Sequence, residues 1–222
     1  MAVLPLGTAN DFANAIGVAD MDLPDALRIA AEVSPTGIDV VQANERYFLN
    51  VATGGVGSSV TTETPKAAKK LFGKVAYLIT GLREIGSLKA QSIALEAGDW
   101  SWNGRFLVLA IGNARFAGGG FDLCPAACLD DGLLELCVVP DADSENRSAP
   151  LREIIDSGIQ GVTSSVVQRR VAEVTVSCDS ILQLNLDGEP LEASKFVIRT
   201  RPEALRFHLP DRCPLSDCRR SS

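Results

Sequence analysis

The sequence contains a single histidine, His208, in 222 residues. That scarcity excludes a zinc site built on two histidines, and any Ser-His-Asp triad would have to use His208. The residue lies in Arg206-Phe207-His208-Leu209-Pro210, a polar-apolar alternation, and reads as a strand histidine near the surface. None of the six cysteines (Cys124, Cys128, Cys137, Cys178, Cys213, Cys218) forms a C-x-x-C pair. A chain of this length needs no disulfide staples, so they read as reduced thiols. Cys213, Cys218 and His208 have neither regular zinc spacing nor a fourth ligand. No apolar run approaches the roughly 20 residues of a membrane helix. Basic residues are also short, 21 Lys+Arg against 28 Asp+Glu for a net charge of −7, which lacks the basic footprint of a general nucleic-acid binder. The opening Met1-to-Phe12 stretch has no basic region and no long apolar core, so a secretory signal is not expected and a cytoplasmic chain is.

A hydrophobic fraction of 46% with 22% charged residues indicates a globular chain with a substantial core. Ala2 to Leu6 is a short apolar run that ends at Gly7-Thr8. A helix is predicted from Asn10-Asp11, whose side chains can cap it, and a second from Pro24, ending before Ser34-Pro35. This is a strand-loop-helix unit of α/β type, yet a parallel strand cannot stand without neighbours.

From Gly37 the pattern changes to short alternating segments: 38–41, 47–51, 93–97, 106–111, 133–139, 166–176, 181–186, 196–199 and 205–209. Their number predicts an antiparallel sandwich or barrel, with a hairpin turn at Asn103-Gly104. Helices are predicted over 65–85, where Lys66, Lys69, Lys70 and Lys74 form a local basic patch, and over 150–158.

Several short motifs offer chemistry. Gly7-Thr8 before a helix suits an anion, with the Thr8 hydroxyl as an extra donor, although a glycine before a capped helix is also ordinary structure. Thr53-Gly54-Gly55-Val56-Gly57 and Ala117-Gly118-Gly119-Gly120 each follow an apolar strand and permit either close backbone approach or a simple turn. The Cys128-to-Leu133 loop, with Asp130-Asp131-Gly132, reads as an Asp-Gly turn or as oxygen ligation for a hard cation. Asp187-Gly188 marks a hairpin and sets Glu189 beside Pro190; a carboxylate held there could accept a proton from a hydroxyl or simply be solvated.

In this order, Leu4-Pro5-Leu6-Gly7-Thr8-Ala9-Asn10-Asp11-Phe12, Asn50-Val51-Ala52-Thr53-Gly54-Gly55-Val56-Gly57, Thr61-Thr62-Glu63-Thr64-Pro65, Ala117-Gly118-Gly119-Gly120, Asp131-Gly132-Leu133-Leu134 and Leu186-Asp187-Gly188-Glu189-Pro190-Leu191 resemble the motifs of the diacylglycerol-kinase-like bacterial lipid kinases of the YegS type. The resemblance covers essentially the whole chain. It implies an α+β fold, an antiparallel β-sandwich over 37–222 following the remnant of an α/β nucleotide-binding domain (NAD kinase/diacylglycerol kinase-like) over 1–36, to which the last strands could return.

It also implies ATP-dependent phosphorylation of a lipid hydroxyl, diacylglycerol or phosphatidylglycerol, at the inner membrane face. Thr8, with Gly7 and Asn10, resembles the nucleotide-contacting motif. Asp131 resembles the Mg²⁺-ligating aspartate, with the main-chain carbonyls of Cys128 and Leu133 as its companions. Glu189 resembles the catalytic acid that activates the lipid hydroxyl. Phosphoryl transfer rests mainly on positioning and electrostatics and needs no histidine. The family's Gly-Gly-Asp-Gly-Thr phosphate loop lies upstream of Leu-Pro-Leu-Gly-Thr, and nothing like it occurs here, so weak ATP binding and little turnover are expected of this chain alone. The alternatives are a non-catalytic sandwich that binds lipid or a partner, and a kinase acting on a nicotinamide nucleotide or sphingoid base.

Overall fold

The computed structural model describes residues 1–55, 91–141, 148–162 and 166–216. The predicted helix over 65–85, its lysine patch, and the residues from Val56 to Pro65 lie outside the described residues. Helices α1 (Asp11–Ala15) and α2 (Leu23–Glu32) are followed by eleven strands: β1 (Thr36–Ala43), β2 (Arg46–Phe48), β3 (Val51–Gly55), β4 (Ser92–Ala97), β5 (Trp100–Gly112), β6 (Phe116–Ala117), β7 (Phe121–Asp122), β8 (Leu134–Pro140), β9 (Val167–Val171), β10 (Glu173–Leu186) and β11 (Glu189–Phe207). Helix α3 (Ser148–Ser157) and a single 3₁₀ turn at Ile159–Gly161 lie between β8 and β9.

Nine strands form one antiparallel sheet in the order β2-β1-β11-β10-β3-β5-β8-β9, and β4 bridges β10 and β5. The two long strands allow it to fold over on itself. The first half of β10 pairs with β4, and its last residues pair with β3. β5 divides in the same way, so β3 and β4 sit end to end between the same neighbours. The enclosed core contains Leu95, Leu109, Leu136, Leu182, Leu184 and Phe196, which makes the architecture an antiparallel β-sandwich. From Phe106 to Gly112, β5 is buried on both faces, and its continuous apolar run reflects that. On the outer face, Leu107, Ala110 and Cys137 pack beneath α3 through Leu151 and Ile154.

Ala2 to Leu6 forms no strand. Met1 is nevertheless held, its ammonium donating to the Arg206 carbonyl and its carbonyl accepting from the His208 amide, both at 2.8 Å. Helix α1 packs against the other end of the chain. Ala13 and Ile16 share a core with Ile38, Phe207, Leu209 and Leu215, and Phe12 meets Phe207 edge to face at 5.6 Å. His208 follows β11 rather than lying within it, and its Nδ1 is 2.6 Å from the Val33 carbonyl at the end of α2.

Three local expectations need correction. The hairpin turn is Gly98-Asp99, not Asn103-Gly104, because Ala97 pairs with Trp100 and Gly98 takes φ 59°. Asn103 and Gly104 continue β5 opposite Ala94 and Ile93, since the strand has partners along its whole length. Residues 166–176 divide between β9 and β10 rather than forming one strand. Cys128 is disulfide-bonded, whereas Cys124, Cys137, Cys178 and Cys213 are free thiols.

Helix α2 starts as its sequence dictates: Asp22 accepts from the Asp25 amide at 2.9 Å, and proline occupies the first turn. Asp22→Ala is expected to cost about 1 kcal/mol and to lower the melting temperature by roughly 2–4 °C in a thermal scan.

Candidate functional site

The Leu4-to-Asp11 motif is a loop closed by its own asparagine. Asn10 takes a left-handed conformation (φ 51°) and turns its carboxamide back, accepting from the Gly7 amide at 2.8 Å and donating to the Pro5 carbonyl at 3.2 Å. A side chain at position 7 would place its Cβ 2.8 Å from Asn10 Oδ1, which accounts for glycine there. Neither Asn10 nor Asp11 caps α1 with its side chain, contrary to expectation. Asp11 instead reaches across to the second glycine cluster and accepts from the Gly119 amide at 3.0 Å. Gly7 and Thr8 are exposed.

That cluster is the turn between β6 and β7. Gly118, Gly119 and Gly120 have φ of 66°, 91° and 100°, a run of positive angles that only glycine adopts without strain. Asn50 ties this hairpin to the sheet. Its Nδ2 donates to the Phe116 carbonyl at 2.7 Å, and its own carbonyl accepts from the Asn113 and Ala114 amides. The first glycine cluster is strand rather than turn. At Gly54 a Cβ would come within 2.9 Å of the Leu184 side chain, and at Gly55 within 2.3 Å of the Leu107 carbonyl. Close backbone approach is therefore what these glycines permit; Gly57 lies outside the described residues.

The third motif folds as its sequence predicts. Leu186 pairs with Glu189, leaving Asp187-Gly188 as a two-residue hairpin turn with both φ positive (51° and 104°). Asp187 turns its carboxylate inward, where it accepts from the Leu49, Asn50 and Val51 amides at 2.7, 3.0 and 3.1 Å. Burial pushes the Asp187 carboxyl above its ordinary value, and these amides offset part of that rise. Glu189, next along the chain, is exposed at the start of β11.

These contacts form one continuous frame. Glu189 leaves the Asp187 turn; Asp187 holds Asn50; Asn50 holds Phe116; and the hairpin containing Phe116 is held by Asp11, beside Gly7 and Thr8. Sequence reasoning did not assign Asp187, Asn50 or Asp11 to this role. The signal for Asp187 is its place in the turn, where its short carboxylate can reach neighbouring amides.

Asp131 lies in the loop before β8. Its Oδ1 accepts from the Leu133 amide at 2.8 Å, and its Oδ2 forms an ion pair with Arg170 of β9. Asp39, wholly buried in β1, fixes this loop by accepting from the Gly132 amide at 2.6 Å and from the Glu203 amide at 2.9 Å. Asp39 was also missed, although a carboxylate between Ile38 and Val40 is a legible oddity. A carboxylate oxygen is donor chemistry that Mg²⁺ accepts, and Arg170 is the charge such an ion would have to share or displace.

Comparison with known proteins agrees with the fold. Residues 50–209 match the model of the YegS C-terminal NAD kinase beta sandwich-like domain, and residues 1–43 match that of the diacylglycerol kinase catalytic domain. A "Probable lipid kinase YegS-like" protein of Stenotrophomonas maltophilia is 39% identical over 220 residues, covering 97% of this chain and 71% of the relative. One of the same description from Pseudomonas putida is 44% identical over 215 residues, covering 97% and 70%. In fold, the chain is similar to the crystal structure of a "putative diacylglycerol kinase" from Bacillus anthracis str. Sterne, with a TM-score of 0.74 and 20% identity. That match covers 92% of this chain but only 66% of the solved one. With the sandwich-domain model and the relatives in agreement, the chain belongs to the YegS-type, diacylglycerol-kinase-like family.

Proposed function

We propose that the chain acts as an ATP-dependent lipid kinase, which moves the γ-phosphate of ATP to a lipid hydroxyl of the diacylglycerol or phosphatidylglycerol type. The observation that supports this most is the hydrogen-bonded frame running from the Glu189 turn to the Gly7-Thr8 loop. It links two exposed segments that would otherwise be independent turns. Relatives described as probable lipid kinases favour the same reading.

In this proposal, Thr8 donates its hydroxyl to the nucleotide phosphates, with the loop shape maintained by Gly7 and Asn10. Glu189 accepts the proton of the lipid hydroxyl as its oxygen attacks the γ-phosphorus, and ADP leaves with the bridging oxygen. Asp131, with the carbonyls of Cys128 and Leu133, would hold Mg²⁺, which when bound supplies positive charge to its surroundings. Diacylglycerol and phosphatidylglycerol reside in membranes, so the reaction would take place at a membrane surface. Among the described residues, no helix is long and apolar enough to cross one.

The test is transfer of label from [γ-³²P]ATP to a panel of acceptors in mixed micelles or solution, by this chain extended at its N-terminus with the phosphate-loop segment of a YegS-like relative. Label is expected in the organic-extractable products of diacylglycerol or phosphatidylglycerol. Label in a nicotinamide nucleotide or sphingoid base would replace the acceptor assignment. Micelle binding with no transfer to any acceptor would favour the non-catalytic alternative.

A further inference from the structure

Cys124, Glu135 and Cys137 meet beneath α3 and take no part in the groups described above. Glu135 and Cys137 are two residues apart on β8 and therefore project from the same face. Cys124 follows β7, with its amide held by the Arg115 carbonyl at 3.1 Å. One ligand atom from each residue, two sulfurs and a carboxylate oxygen, lies within 4.8 Å of the others. None of the three is more than 3% exposed.

A carboxylate inside an apolar core is costly unless a cation or several donors meet it. Among the described residues, Glu135 forms no ion pair. Its Oε2 accepts from the Ala126 amide at 2.5 Å, its Oε1 accepts from the Cys137 thiol at 3.5 Å, and the Ala127 amide also donates to this carboxylate. The nearby Arg115 guanidinium is committed to Asp122. Glu135 Oε1 and Cys137 Sγ, 3.5 Å apart, already have the spacing of two ligands of a tetrahedral ion, and Cys124 Sγ lies within 4.8 Å of both. With metal–sulfur bonds of about 2.3 Å and metal–oxygen bonds of about 2.1 Å, neighbouring ligand atoms stand roughly 3.5–3.8 Å apart.

We propose that Cys124, Glu135 and Cys137 bind one Zn²⁺ ion, with water in the fourth position. Two thiolates select a soft or borderline ion over Mg²⁺ or Ca²⁺, and the single carboxylate is common in zinc sites. Two thiolates and a carboxylate exceed the charge of the ion by one. The Ala126 amide on Glu135 and the Gln168 carboxamide, 3.7 Å from Cys137 Sγ, are donors placed to take up that excess. The site ties β8 to the segment after β7, and it stands independently of the kinase reading.

The experiment is titration of the chelator-treated chain, kept anaerobic and with its Cys128 disulfide intact, with Co²⁺ alone. One equivalent is expected to produce a thiolate-to-cobalt charge-transfer band, which equimolar Zn²⁺ then displaces. Cys124→Ser and Cys137→Ser should each abolish the band, and Glu135→Gln should weaken binding at least tenfold while leaving the band detectable. Cys178→Ser and Cys213→Ser should leave it unchanged. Absence of the band at stoichiometric Co²⁺, or its survival in Cys124→Ser, would overturn the proposal. Should the serine variants fail to fold, X-ray absorption of the unmodified zinc-loaded chain decides: two sulfur and two oxygen neighbours support the site, and any other sulfur count refutes it.

Discussion

In this chain extended at its N-terminus with the phosphate-loop segment of a YegS-like relative, Glu189→Gln is expected to reduce phosphoryl transfer to a lipid acceptor by about 10³-fold, equivalent to roughly 4 kcal/mol of transition-state stabilisation. Glutamine keeps the length and hydrogen-bonding reach of the side chain but cannot take a proton. Because Glu189 is exposed, the unfolding free energy should change by no more than about 0.5 kcal/mol. Nucleotide affinity should be unchanged, because in this reading ATP contacts the Gly7-Thr8 loop. Steady-state transfer assays with varied lipid separate the possibilities. A fall in kcat at constant KM supports proton acceptance, and a rise in KM at constant kcat makes Glu189 a lipid-binding group. Transfer within about fivefold of the unmodified protein would remove Glu189 from the chemistry.

The sequence announces its turns better than its long strands. Asp187-Gly188 carries the residue types that a two-residue hairpin requires, and the structure places the turn there. Asn103-Gly104 carries an equally strong signal and fails, because β5 is paired on both sides beyond that point and Gly98 makes the turn instead. Local preference amounts to about 1 kcal/mol, and a fully paired buried strand outweighs it. β11 runs from Glu189 to Phe207, although its apolar signal breaks at Pro202-Glu203, where Glu203 takes φ 50° and the pairing with β1 shifts register. Alternation cannot be followed through an irregularity of that kind.

The candidate site was partly legible for a related reason. Thr8, Asp131 and Glu189 belong to contiguous motifs, whereas the residues that join those motifs are paired only by topology. Asp11 with Gly119 and Asp187 with Asn50 are separated by more than a hundred positions, and no spacing rule connects them. The Cys124, Glu135 and Cys137 group escaped notice in the same way: none of these cysteines forms a C-x-x-C pair, and the strand geometry supplies the third ligand.

Asp187→Ala is expected to destabilise the fold by about 3 kcal/mol. The substitution leaves the Leu49, Asn50 and Val51 amides without their acceptor, at about 1 kcal/mol for each partly buried donor. The low end of the usual range applies because water can reach the outer side of the turn. Alanine also tolerates φ 51° less well than aspartate, which adds to the loss. Asp187→Asn keeps one acceptor and the left-handed turn, so it should cost about half as much. Urea unfolding with a constant m-value measures both. The same frame gives the variants a functional consequence, since releasing Asn50 loosens the link from the Glu189 turn to the Phe116 hairpin and on to Asp11. At temperatures where both proteins remain folded, Asp187→Asn should therefore lower transfer while Asp22→Ala, a comparable loss of stability on α2, should not. Equal transfer by the two variants would show that Asp187 serves stability alone and does not position Glu189.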